Sequence, residues 1–416
     1  MTIIELFDKT AIENMVSTLL LKPEKVYFIC HDKKKVDKSL KRYIKIAKDK
    51  NIQVTMESVS TNRNDIDCIV NTLSKVIESN KDCVIDLSGG DDLFLVAAGI
   101  VYEKFGHKVQ LHRFNIQNNS LTDLDKNGDP QLKEPLELSI EENIAIYGGK
   151  VASCDKTADN MTSFDENSEF AKDVLNIWNI CKHNASDWNK KIGQLLFLQS
   201  IFFKDDNPLH LCFDVNVARK MLANCNKDYS PLTNLINQLG KYKLVTIFEN
   251  SEKKISFTYK NGDIKKCLSK AGTVLELLIS IKLYNLRDDN GNRIYNDVLT
   301  GVMIDWDGEI SNNEEDVENE IDVLAMKGLV PVFISCKNGA VPKDEPYKLS
   351  TVAQRFGGEY AKKVLVTSHI PSRKDNGENI YFRTSEMKIQ TLKNVDTMSN
   401  EELDDMLKNI WNNTEY

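Results

Sequence analysis

The sequence predicts an α/β protein of three units: a parallel sheet flanked by helices over residues 1–154, a helical connector closed by a hairpin over 155–265, and a second α/β unit over 266–416. Three observations predict it. Apolar strand-like runs alternate with helical ones through the first 150 residues. Helices then follow one another and end on two short alternating strands. Near residue 330, two further alternating strands flank a Lys-Gly turn and gather acids and a lysine on one face. The length of 416 residues is also too great for one ordinary domain of roughly 100–200 residues.

In chain order, VYFIC (26–30) reads as a buried strand, followed by a basic helical stretch from Val36 to Lys50. IQVTMESV (52–59) is a second strand, a helix pattern covers 64–79, and CVIDLS (83–88) is a third strand punctuated by Gly89 and Gly90. The apolar helix LFLVAAGIVYEKF (93–105) and the strand VQLHRFN (109–115) complete the alternation. The connector shows helices near 168–182, 186–203, 215–225 and 230–240, then strands VTIF (245–248) and ISFTY (255–259), a winged-helix-like order. A mechanical spacer and a nucleic-acid contact both fit it. Residues 251–270 carry six lysines against Glu252 and Asp263, which suits a solvated face or a polyanion equally. The last unit opens on the helix AGTVLELLISIKLYNL (271–286), and nine acids with no basic residue fall in 305–322. Two short strands follow, then a helix near 350–362, the strand VLVTS (364–368) and a polar helix near 400–412.

Composition narrows the class. Hydrophobic residues make up 41%, enough for buried cores, and 54 basic against 62 acidic residues give a net charge of −8. That excludes a strongly basic coat protein but not a local basic cleft. The longest apolar runs, 93–101 and 195–203, are far shorter than the ~20 residues that span a bilayer. The start MTIIELFDKT has no secretory pattern, and the nine cysteines are scattered without a CxxC pair. A cytoplasmic protein with no membrane partner is expected.

The chemistry concentrates in ENEIDVLAMKGLVPVFISCKNG (318–339). A turn at Gly328–Leu329 pairs Asp322 with Ser335 and Glu320 with Lys337, and period-two alternation puts all four on one face. Val323, Ala325, Ile334 and Cys336 point to the other, apolar face. Carboxylates are hard oxygen ligands for Mg²⁺ or Mn²⁺, and a lysine beside them offsets charge on a phosphodiester under attack. By spacing alone, a cross-strand Glu320–Lys337 salt bridge explains the pattern as well.

Asp322 followed by Ser335-Cys336-Lys337 resembles the PD-(D/E)xK nuclease core, with Ser335 where that core has its second acid. With the GTVLELL helix, RFGGEYAKKVLVTS (355–368), LKPEKVYFIC (21–30), DLSGGDD (86–92) and LSIEENIAIYGG (138–149), the chain resembles the CRISPR ancillary nucleases of type III systems. In these a Rossmann-like CARF sensor domain is fused to a PD-(D/E)xK, restriction-endonuclease-like domain. The resemblance implies metal ligands Glu276, Glu320 and Asp322, with Lys337, Asp322 and Glu320 catalytic. Gln354 and Tyr360 follow on the next helix, where a polar side chain could touch the scissile backbone.

In parallel α/β sheets ligands bind beyond the carboxyl ends of the strands. Two such ends stand out: Cys30, His31 and Asp32 after VYFI, and Ser88, Gly89, Gly90 and Asp91 after CVIDL. Small residues there admit a phosphate to backbone N–H groups, although a turn with an N-cap explains SGGDD too. The resemblance implies cyclic tetra-adenylate as an allosteric activator bound across a homodimer, and DNA or RNA as substrate. An ungated repair or restriction-type DNase, and a nucleotide-responsive nucleic-acid-binding protein with a degenerate nuclease domain, are the alternatives.

Overall fold

The structure, a computed structural model, describes residues 1–124, 130–131, 135–155, 161–203, 207–308, 318–368 and 377–411. Of the acidic run noted at 305–322, residues 309–317 lie outside the described residues.

The first sheet holds β1 (Thr2–Leu6), β2 (Lys25–Cys30), β3 (Thr55–Ser60), β4 (Cys83–Asp86), β5 (Val109–Asn115), β6 (Ser120–Asp123) and β7 (Pro130–Gln131). Its order is β3-β2-β1-β4-β5-β6-β7, with the first five parallel and the last two antiparallel. Alternation along each strand feeds two cores. Ile3, Val26 and Phe28 meet Val36, Leu40 and Tyr43 of the helix Lys33–Asp49. Ile4, Ile29 and Ile85 meet the helices Ile66–Glu78 and Asp92–Phe105 on the other face. The central strand β1 was not expected from the sequence. Its pattern is interrupted by Glu5, a fully buried carboxyl whose pKa burial, and then the neighbouring Asp86, push well up.

β8 (Lys150–Ser153) leaves this sheet and joins the second one. The connector that follows contains the helices Glu169–Cys181, Ala185–Phe202, Val215–Asn224 and Thr233–Lys241. Its strands β9 (His210–Asp214), β10 (Val245–Asn250) and β11 (Lys254–Tyr259) form an antiparallel sheet in the order β10-β11-β9. Four of the six lysines of 251–270 have acidic partners, mostly at the surface: Lys254 pairs with Glu249, Lys260 with Glu169 and Asp173, Lys266 with Asp155 and Lys270 with Glu320. They do not form one free basic face.

The second sheet contains β12 (Asp297–Asp305), β13 (Glu318–Lys327), β14 (Val330–Lys337), β15 (Lys362–Thr367) and β16 (Gln390–Lys393). Its order is β16-β15-β14-β13-β12-β8; β14, β15 and β16 run parallel and the rest antiparallel. Val323, Ala325, Val332 and Ile334 pack toward the connector and the helix Thr273–Asn285. Leu324, Met326, Phe333 and Leu365 pack toward the helix Glu345–Gly357 in a core shared with β1, β2 and the helix Ile140–Ile146. That shared core joins the first unit to the second sheet.

Polar contacts fix the same junction. Asn143 Nδ2 donates to the Phe356 carbonyl at 2.8 Å, Arg355 donates to the Tyr147 and Trp306 carbonyls, and the Tyr360 hydroxyl donates to Glu13. Gly149 is needed here, because a Cβ would lie 2.4 Å from the Phe356 ring and 2.7 Å from the Asp305 carbonyl. Gly149→Ala is therefore expected to cost about 1–3 kcal/mol of unfolding free energy, read by denaturant titration. Burial, against the opposing Tyr360 hydrogen bond, pushes the Glu13 carboxyl up to about 8. The fold thus favours the neutral acid. Its contribution is complete below the ordinary carboxyl range near pH 4.5 and is lost as pH rises through about 8. Unfolding titrations across that window should show stability declining with pH, and Glu13→Gln should flatten the decline.

Candidate active site and strand-end pocket

The β13–β14 hairpin has the register the sequence predicts: Val323 opposes Ile334 and Leu324 opposes Phe333, closed by Gly328 in the left-handed region (φ 61°). The ladder then ends. Beyond Val323, β13 continues against β12, while β14 continues against β15, so the two strands part like a fork. Asp322 fills the fork. Its Oδ2 accepts from Cys336 N at 2.7 Å, the Ser335 hydroxyl at 3.1 Å and Lys337 Nζ at 2.9 Å.

A second carboxylate arrives from a residue that the sequence reading missed. Glu345, in the first turn of the helix Glu345–Gly357, lies 3.1 Å from Lys337 Nζ and 2.5 Å from the Ser335 hydroxyl. One hydroxyl proton serves one acceptor, and the shorter contact is to Glu345. Asp344–Lys348 pairing and a proline in the first turn fix the helix start. The signal was present in the sequence: the serine at 335 removes an acid from the strand, and Asp344-Glu345 opens the next helix.

These groups line a cleft of about 290 Å³ that also includes Glu320 and Lys348. Burial opposes the Lys337 charge, but Asp322 and then Glu345 outweigh it and raise its pKa. Glu320 does not oppose Lys337 as expected, because the ladder has ended; it pairs with Lys270 at 3.1 Å. Glu276 lies in the first turn of the helix Thr273–Asn285, which packs on the opposite face of the sheet, and it is not in the cleft lining. Burial, and then Asp322, push its carboxyl up to about 7. Lys270 is raised in turn, its burial outweighed by Glu276, Glu320 and Asp322.

Among the described residues no three His, Cys, Asp or Glu side chains stand as a ready-made metal cluster, while Glu276 lies in the field of both Asp322 and Glu320. Asp322 and Glu345 do converge. Two carboxylates are a sufficient protein contribution for Mg²⁺ or Mn²⁺, which keep several waters and take further oxygens from a phosphate. The donor set fits such an ion. Gln354 sits about 14 Å along this helix from Glu345 at 1.5 Å per residue, and Tyr360 lies just past its end in the 3-10 turn Gly358–Tyr360; both face the first unit rather than the cleft.

The second candidate site lies at the carboxyl ends of β1, β2 and β4. Cys30, His31, Asp32, Gly90 and Asp91 all line one pocket of about 340 Å³ there. Asp32 caps the helix Lys33–Asp49 by accepting from Lys35 N at 3.1 Å. Gly90 has φ 109°, and a Cβ there would lie 2.7 Å from Leu6 Cβ. Burial pushes the Cys30 thiol up to about 11. Ser88 and Gly89 are not in the lining. The Ser88 hydroxyl is turned inward, donating to Asp86 and accepting from Phe114 N at 2.7 Å, and Gly89 backs onto Asp8 and Glu13. Arg63, another residue missed in the sequence, enters the pocket and pairs with Asp91 at 2.6 Å.

Over 99% of its length the chain superposes on protein VC1899 of Vibrio cholerae, with TM-score 0.72, 16% identity and 97% of that chain covered. It superposes equally completely on Can2 of Sulfobacillus thermosulfidooxidans in complex with cyclic tetra-adenylate, with TM-score 0.64, 16% identity and 97% of that chain covered. The α/β fold is theirs. No protein-family model matches the chain, and no curated protein does. None of the nine cysteines is in a disulfide, and no helix among the described residues is long and apolar enough to cross a membrane.

Lys337→Met would leave Asp322 and Glu345 facing each other without their cation. An unfolding free energy lower by about 1–3 kcal/mol is expected. Adding Glu345→Gln should recover part of that loss, a coupling that a double-mutant cycle measures.

Proposed function

We propose that this chain is a divalent-metal-dependent nuclease activated by cyclic tetra-adenylate, with residues 1–154 as sensor, 155–265 as connector and 266–416 as nuclease. The observation that carries the reading is the convergence of Asp322, Glu345 and Lys337 at the fork of the hairpin. The fold supports it, being shared with a protein captured with cyclic tetra-adenylate. Ser335 by itself suggests a degenerate site, but Glu345 supplies the carboxylate that the strand lacks.

Asp322 and Glu345 would hold Mg²⁺ or Mn²⁺, which when bound polarises a phosphodiester and lowers the pKa of water. The chain's own residues do the rest. Lys337, fixed between both carboxylates, is placed to donate to a phosphate oxygen as charge builds on it. Lys270 holds Glu320 at the cleft margin and, with Glu276, sets the field around Asp322. DNA or RNA is the substrate class.

The strand-end pocket takes the activator through Cys30, His31, Asp32, Gly90, Asp91 and Arg63, while Ser88 and Gly89 lie behind the lining and hold the turn that carries Gly90 and Asp91. A four-nucleotide ring is larger than one such pocket, so two copies related by a two-fold axis share it. The helix Asp92–Phe105, which begins at that pocket, leaves Leu93, Leu95, Val96 and Ile100 exposed. A second copy of the chain would cover these residues in the homodimer.

The test is a cleavage panel over plasmid, single-stranded DNA and RNA with Mn²⁺, with and without cyclic tetra-adenylate. Cleavage that requires the metal and rises with the ring is expected, and Lys337→Ala should lower it at least ~100-fold. Full activity in that variant overturns the site; activity indifferent to the ring overturns the gating. Arg63→Ala should weaken ring binding roughly 10-fold in a calorimetric titration.

A further inference from the structure

A separate cavity of about 530 Å³ lies at the junction between the first unit and the helix Glu345–Gly357. Lys9, Lys35, Lys38 and Arg42 line it from one side and Arg355 from the other, against the acids Asp8 and Glu359. None of the five cations forms an ion pair among the described residues. Asp8 is already committed, accepting from Thr10 N at 2.7 Å and Gly90 N at 3.3 Å.

The two guanidinium groups are the strongest indication. Arg42 is held close over Gly148, where a Cβ would lie 2.9 Å from its Cζ. Its Nε is buried and meets no acceptor among the described residues. Its one side-chain hydrogen bond runs to the Ser39 hydroxyl at 3.4 Å. Arg355 spends its donors on the Tyr147 and Trp306 carbonyls, neither of which carries a full charge. Burial, and then Arg42, lower the Arg355 pKa, so the two cations oppose one another across the cavity. Five cations against two acids leave the cavity with an excess of positive charge, which suits an anion, and the fork of a guanidinium matches phosphate oxygens.

We propose that the junction cavity is a phosphate-binding site, in which an anionic phosphate group sits between Arg42 and Arg355. It bridges the first unit to the helix whose opposite end carries Glu345. The cavity shares Phe7, Asp8, Lys9 and Lys35 with the strand-end pocket. The phosphate therefore has two sources, a ring lying in that neighbouring pocket or a free phosphate compound. The site stands on its own residues, and it is read by binding rather than cleavage, so its failure is distinguishable from failure of the nuclease reading.

Tripolyphosphate is titrated into the full chain by calorimetry at low salt. Saturable binding is expected, at least 10-fold weaker in Arg42→Gln and in Lys38→Glu. Lys38 is exposed, so its variant keeps the test valid if the Arg42 variant fails to fold, Arg42→Lys should retain part of the affinity, and the exposed Lys220→Gln on the helix Val215–Asn224 is the control that leaves binding unchanged. Cyclic tetra-adenylate is titrated in parallel. Weaker ring binding in Arg42→Gln names the ring as the source, and unchanged ring binding beside weakened tripolyphosphate names a free phosphate. Tripolyphosphate that does not bind, or that binds all variants alike, overturns the site.

Discussion

One ammonium group between two carboxylates organises the end of the second sheet. Asp322 and Glu345 come from different elements, a strand and a helix, and without a cation between them one would have to give up its charge. Lys337 removes that conflict and is itself immobilised by it. Its strand is held by β13 up to Ile334 and by β15 through Lys337–Thr367, which fixes the backbone, and the two carboxylates then fix Nζ. The fork leaves the Cys336 N–H, which a continuous ladder would have used, free to donate to Asp322.

The helix Glu345–Gly357 carries this arrangement to the rest of the molecule. Its first residue is in the cleft and its last turn is bound by Asn143, Tyr147 and, just beyond, Glu13. At 1.5 Å per residue its 13 residues span about 20 Å. Val352, Ala353 and Phe356 sit in the core that also holds Ile3, Phe28 and Tyr43. A displacement at the first unit's strand ends therefore meets a stiff, buried element rather than a loop. The coupling required between a sensor and a distant reaction site needs such an element with two biased positions.

Much of this was legible because periodicity constrains sheets strongly. Alternation in 318–337 specified the hairpin register and the polar face, and the strands after VYFIC matched observed elements closely. What failed did so for identifiable reasons. β1 hid behind a buried glutamate, and β9, HLCFD, offers only three apolar residues between polar His210 and Asp214. Pairing arithmetic placed Glu320 opposite Lys337 because it assumed that the ladder continues, and no pattern in one strand reveals where a neighbour departs. The lysine cluster read as a surface because its partners, Asp155, Glu169 and Asp173, lie far away in sequence. Glu345 and Arg63 belong to segments whose function is set only by the tertiary fold.

β8 gives the architecture a further property. It belongs by sequence to the end of the first unit, yet it pairs with β12 at the border of the second sheet through Asp305, Ile304 and Met303. The chain is therefore laced rather than strung: the first unit lends a strand to the second sheet. Severing it after the first unit would strip that border and leave the nine-residue β12 with open donors and acceptors, a surface prone to recruiting other strands. Fusions that exchange one half for another's must carry residues 150–153 with the recipient sheet, so the unit of inheritance is the pair and not the domain.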